Sequence, residues 1–351
     1  MENELRTLIA PRQITSVLEM PGGASTRRYF RIEVTPPFDA AGGASRAVAM
    51  FVPSGDRPEE VSKEVPSADG KPRPWPFLEV RELLEKKGIR VPKLFLDASE
   101  KGWLVLEDLG DETLDAALKA HPEEKRALYR RAVSDSAKTH DVMRDLPADS
   151  LVRSRSFDYD LLLWELDHFR EWGLDARGIV FEGEKRKAFD SLARRLAKRV
   201  AELPQGYVHR DYQSRNLMVS RTASESDDGF ELVVIDFQDA LMGPRIYDLV
   251  ALLGDSYQEF DRAFIEDRIG EYAALRSLPK EELLFEFDLV TVQRKLKDAG
   301  RFVFIDQKKG NPSFLPYVEP TLRKVKASLE RLADDEEMKA LRRLLGSVLD
   351  V

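Results

Sequence analysis

The spacing of apolar residues changes character near Asp108, and this change limits the fold more than any other feature of the chain. Before it, short apolar runs at 15–20, 29–34, 47–52, 94–96 and 103–106 alternate with breaks rich in proline and glycine. Runs this short, so bounded, read as strands. One helix interrupts them: Phe77, Val80, Leu83 and Leu84 recur at helical steps and stop at Gly88. After Asp108 the period is helical at 114–118, 123–143, 159–172 and 184–203. In the last of these, Phe189, Leu192, Leu196, Val200 and Leu203 step by three or four. A β-rich interlude covers 207–237, with the polar stretch 222–229 as a hairpin tip, and helical spacing returns from Tyr247 almost to the end. No internal repeat is present. The expected class is α+β and bilobal. A small β-rich lobe occupies 1–108 and a larger, mainly helical one 109–351, and a ligand site is expected in the cleft between such lobes.

Composition narrows the chemistry. None of the 351 residues is cysteine, which excludes disulfides, thiolate metal sites and cysteine nucleophiles and fits a reducing compartment. With 55 Lys+Arg against 63 Asp+Glu the formal charge is −8, against a protein built to grip nucleic acid. In the first residues, MENELRTLIAPRQ, the opening charges are the acids Glu2 and Glu4, where a signal peptide would be basic. No stretch approaches the roughly 18 apolar residues of a membrane span. A soluble, cytoplasmic chain with neither nucleic acid nor membrane as partner is expected.

The informative stretch runs from Tyr207 to Val219. It contains His209-Arg210-Asp211, with Asn216 five residues after Asp211, and is followed by Val233-Val234-Ile235-Asp236-Phe237. Phosphoryl transfer needs a carboxylate to orient and deprotonate an acceptor hydroxyl, and oxygen ligands for the Mg²⁺ that neutralises nucleotide phosphates. Asp211 suits the first task; Asn216 and Asp236 suit the second. A lone HRD is an ordinary solvated turn and a lone DF an ordinary strand end. Together, at this spacing and between apolar runs, they make a site.

HRD-x4-N followed by an apolar strand and DF resembles the catalytic loop and metal motif of protein-kinase-like phosphotransferases. Asp236-Phe237-Gln238-Asp239 lacks the glycine of DFG, and GPRIYDL follows at once, leaving no room for a long activation loop. This resembles the aminoglycoside phosphotransferase and choline kinase superfamily. The resemblance implies that Asp248 braces the catalytic loop, with His209 a structural member of it. IDFQDALMGPRIYDLVALLGDSY is similar to the bacterial anomeric kinases of N-acetylmuramate and N-acetylglucosamine. GGASTRRYFRI, WLVLEDLGDETL, QRKLKDAGRF and KGNPSFLPYV add to that likeness over most of the chain. The family implies ATP and Mg²⁺ as cofactors. It also implies a small-molecule hydroxyl acceptor, an amino sugar, whose 1-phosphate feeds cell-wall recycling.

In that family ATP phosphates lie under a hairpin of small residues, here Gly22, Gly23, Ser25 and Thr26. Glu107 and Leu109 stand where backbone groups meet adenine. One departure matters: in Ala47-Val48-Ala49-Met50-Phe51 the phenylalanine stands where V-A-I-K places a phosphate-pairing lysine. Arg28, Arg31, Lys63 and Lys71 are the candidate substitutes. His121, His140 and His168 read as ordinary. Phe302, Phe304, Phe314 and Tyr317 read as core or as the wall of an acceptor pocket. Two alternatives stay open: another small-molecule kinase, of aminoglycoside, choline or homoserine type, and a non-catalytic nucleotide-binding protein.

Overall fold

The computed structural model describes residues 1–21, 26–38, 44–53, 74–221 and 229–349. They fall into two units, each drawn from two lengths of chain: Met1–Thr113 with Leu217–Gln238, and Leu114–Asn216 with Asp239–Val351. A division at 108/109 treats each unit as one continuous length. In the structure a strand pair from the β-rich interlude belongs with the first.

The first unit is built on a five-stranded antiparallel sheet. Its strands are β1 (Gln13–Glu19), β2 (Arg28–Thr35), β3 (Arg46–Phe51), β4 (Leu94–Ala98) and β5 (Trp103–Glu107), in the order β1-β2-β3-β5-β4. Alternation assigns the faces. Phe30, Ile32 and Val34 of β2 point to one side with Ala47 and Ala49 of β3, paired as Phe30 with Ala49 and Ile32 with Ala47. A helix, Glu2–Leu8, that apolar spacing did not announce seals this face with Leu5 and Ile9. Leu5 is 1% exposed, a burial that contributes roughly 1.5–3 kcal/mol. Trp103 Nε1 donates to Glu4 Oε2 at 3.1 Å and ties that helix to the sheet. The helix Pro76–Lys86 starts on a proline, buries Phe77, Val80 and Leu84, and ends at Gly88 with φ of 73°. The strands β7 (Leu217–Ser220) and β8 (Glu231–Val234) form a hairpin. It is attached by Val219 N–H to Glu112 O and Val234 N–H to Arg90 O, at 2.8 and 3.0 Å.

The second unit is mainly helical around a short ribbon of β6 (Gln205–Val208) and β9 (Leu241–Pro244). The helix expected over 159–172 is α-helical for Tyr159–His168 and continues as a π turn through Phe169–Leu174. Against that turn lies the 30-residue helix Lys280–Lys309. A Cβ at Gly300 would stand 2.8 Å from Phe169 Cα, so only glycine permits this approach. The long helix also buries Glu286, Asp288, Gln293, Arg294 and Lys295. Buried charges need partners, and those of Arg294 lie in the loop after β6. No described helix is long and apolar enough to cross a membrane.

Candidate active site

The loop after β6 is held by a buried carboxylate. Asp248, 2% exposed on the helix Tyr247–Leu253, accepts His209 N–H at 2.8 Å on Oδ2 and Arg210 N–H at 3.1 Å on Oδ1. His140 Nε2 lies 3.4 Å from the same Oδ2, and its Nδ1 meets the Tyr272 hydroxyl at 2.5 Å. The carboxylate holds Arg210 in the left-handed region at φ of 81°, which a non-glycine residue rarely adopts. The chain then turns sharply. Asp211 N–H donates to His209 Nδ1 at 3.3 Å, and Gln213 N–H and Asn216 Nδ2 both donate to Asp211 O at 2.9 Å. His209 itself is buried, its ring edge-on to Tyr212.

Asp211 keeps 36% of its side chain exposed. Burial of the rest would raise its pKa, but Arg294, Lys297 and Arg210 outweigh that and hold the carboxyl below its usual range. Arg294 donates from Nη1 to Arg210 O at 2.8 Å, and its Nη2 stands 3.4 Å from Asp211 Oδ1. Arg294 lies in the motif QRKLKDAGRF, which by its residue types alone gives it no role. Its signal was a run of charges recurring on one helical face. Asp298 answers Lys295 at 2.9 Å and Lys297 at 3.1 Å. Burial pushes the Lys295 ammonium down to about 8 despite Asp298. Beside Arg210, a pocket of about 360 Å³ is lined by Arg155, Asp158, Leu161, Asp239 and Leu241.

In the first unit, Asp236 is exposed at the end of β8, in the left-handed region at φ of 64°, and its Oδ1 accepts Gln238 Nε2 at 2.8 Å. Phe237 is fully buried against Phe77, ring centroids 5.0 Å apart, and anchors the neighbouring carboxylate. Phe51 packs on Trp103, centroids 4.7 Å apart, on the core face of β3. Two of the proposed substitutes for the missing lysine are engaged elsewhere: Arg28 pairs with Glu19 at 2.7 Å, and Arg31 with Asp108 at 2.9 Å and Asp111 at 2.8 Å. Lys63 and Lys71 lie outside the described residues. Sequence reading passed over Arg27. Strand alternation puts Tyr29 and Arg31 opposite the core residues Phe30 and Ile32, and Arg27 stands just before β2. Tyr29 hydrogen-bonds Arg27 and feels the charge of Asp236; burial raises its hydroxyl pKa.

Among the adenine candidates, the Glu107 carboxylate is taken by Arg90 at 2.6 Å, and its N–H donates to Lys93 O at 2.9 Å. The Leu109 backbone has no hydrogen-bond partner among the described residues. Gly22, Gly23 and Ser25 lie outside the described residues; Thr26 is exposed just before β2.

Residues 16–284 match the family model described as the phosphotransferase enzyme family, APH. The chain belongs to this family. Two relatives are each named N-acetylmuramate/N-acetylglucosamine kinase. One, from Pseudomonas aeruginosa, is 31% identical over 90% of this chain and 84% of its own length. The other, from Neisseria meningitidis, is 29% identical over 97% and 93%. A gentamicin–APH(2″)-IIa complex superposes with a TM-score of 0.60 at 13% identity, covering 92% of this chain and 94% of that one. The choline kinase LicA from Streptococcus pneumoniae gives 0.58 at 16%, covering 93% and 97%. The phosphotransferase therefore has the protein-kinase-like fold of the aminoglycoside phosphotransferase and choline kinase superfamily.

Hard oxygen donors of the kind magnesium takes are present in each unit taken by itself. Asn216 gives its amide N–H to Asp211 O, which fixes its other end as an oxygen donor, and Asp236 offers an exposed carboxylate. Hard oxygen ligands, few in number, leave room for the phosphates and water that Mg²⁺ prefers.

Proposed function

We propose that this phosphotransferase moves the γ-phosphoryl group of ATP to the anomeric hydroxyl of an amino sugar, N-acetylmuramate or N-acetylglucosamine. The product is a sugar 1-phosphate, for cytoplasmic use in cell-wall recycling. The observation that carries the reaction type is Asp211: a part-exposed carboxylate on a braced loop, kept ionised by Arg294, Lys297 and Arg210. The names of the relatives carry the acceptor.

Asp211 hydrogen-bonds the sugar hydroxyl and takes its proton as the new O–P bond forms and the bond to ADP breaks. Asp248 and His209 position the loop. Asn216 and Asp236 are the residues that would hold Mg²⁺, which would supply counter-charge to the nucleotide phosphates. By the family resemblance, adenine would meet the Leu109 backbone near Glu107 and the phosphates would meet Gly22, Gly23, Ser25 and Thr26, of which Thr26 alone is among the described residues. The test is an ATP-consumption screen over both amino sugars, an aminoglycoside and choline. Mg²⁺-dependent release of ADP with the sugars is expected; turnover confined to choline or the aminoglycoside overturns the acceptor.

A further inference from the structure

We propose that Arg301 is a specificity-determining residue whose guanidinium binds an anionic group of the acceptor, so that the acid sugar is preferred to its neutral counterpart. This rests on the function proposed above and deepens it.

Arg294, Lys297 and Arg301 recur at steps of three and four and share one face of the helix Lys280–Lys309. The first two have acids: Asp211 lies 3.4 Å from Arg294, and Asp298 lies 3.1 Å from Lys297 while also serving Lys295. Arg301 is half-buried and, among the described residues, has no carboxylate partner. Its guanidinium lies over the Phe304 ring, 4.8 Å from the centroid. The charges that reach it are those of Arg210, which repels it, and Asp211. A half-buried cation beside a like charge and without its own acid is costly, and a ligand that brings the missing anion removes the cost.

The guanidinium is also held firmly. Phe304 packs on His168 at 5.3 Å and meets the edge of Trp172 at 5.1 Å; His168 stacks on Trp164 at 5.4 Å. Burial, with Arg301 and Lys297 nearby, pushes the His168 pKa down to about 4, so the imidazole is neutral at pH 7 and adds no charge. Gly300, fitted against Phe169, fixes the helix at the adjacent position.

The two sugars in the names of the relatives differ in just the required way. N-acetylmuramate carries a lactyl ether ending in a carboxylate, and N-acetylglucosamine has a hydroxyl there. Two helical turns, about 10 Å of rise, separate Arg301 from the Arg294 that reaches Asp211. Long side chains close part of that span, and a sugar with its lactyl arm fills the rest. With C1 at Asp211, the arm presents its carboxylate to Arg301, where two parallel N–H···O bonds can form.

The experiment compares kcat/KM for N-acetylmuramate and N-acetylglucosamine in the full-length wild type, Arg301→Gln and Arg301→Lys. Arg301→Gln should lower the ratio of acid to neutral sugar ten-fold or more, mainly through KM for the acid sugar. Arg301→Lys should recover part of that ratio. An equal fall with both sugars would assign Arg301 to the transferred phosphoryl or to folding and overturn the inference alone. Wild type inactive on both sugars would overturn the proposed function and this inference with it.

Discussion

Replacing Asp248 with asparagine changes a single atom and tests how the loop is held. The carboxylate offers two acceptor oxygens to two backbone donors, at 2.8 Å from His209 and 3.1 Å from Arg210. Asparagine keeps one oxygen and turns an NH₂ towards the second N–H. One buried donor loses its partner, which costs about 1–3 kcal/mol. In a chain of this size that lowers the melting temperature by a few degrees. Activity should suffer more. Arg210 holds its left-handed conformation only while its N–H and C=O are both fixed, by Asp248 and Arg294. Released, it carries Asp211 away, and a displacement of about 1 Å costs on the order of 10²-fold in rate. Calorimetry and kcat on the same preparation measure both effects. A variant with the melting temperature and kcat of wild type would refute the claim that Asp248 positions the loop.

Three further outcomes follow from the same geometry. Asp211→Asn keeps the shape but removes the proton acceptor, so turnover should fall roughly 10²–10⁴-fold with nucleotide binding retained, as titration with ATP would show. Arg294→Met removes a cation that holds the Asp211 carboxyl low, so its pKa rises. The base must be ionised to act, so the acid limb of the kcat/KM profile should move to higher pH; an unmoved limb would remove Arg294 from this role. Asp236→Ala should weaken ATP binding in Mg²⁺ much more than in its absence, a difference that calorimetric titration resolves.

What could be read in the sequence was what lies close together along it. His209, Asp211 and Asn216 share one turn, so their types and spacing express the loop directly. The role of Arg294 is not local: it sits more than 80 residues downstream, where helical periodicity marks a buried face but not the group it meets. Burial of Gln293, Arg294 and Lys295 also runs against the rule that such residues face solvent. The pairing of Arg28 with Glu19 and of Arg31 with Asp108 was not legible, because it joins residues separated along the chain. The return of β7 and β8 to the first unit was not legible either, because hydrogen bonds to Glu112 and Arg90 leave no mark on side-chain types.

Phosphorus NMR of the product tests the central claim most directly. Full-length protein, ATP and Mg²⁺ are incubated with N-acetylmuramate or N-acetylglucosamine, and the product is also assayed for its reducing end. The account predicts a sugar 1-phosphate: phosphorus coupled to the anomeric proton, and reducing-end reactivity lost as the phosphate forms. A 6-phosphate that still reduces, or no sugar phosphate alongside activity on choline or an aminoglycoside, would contradict it.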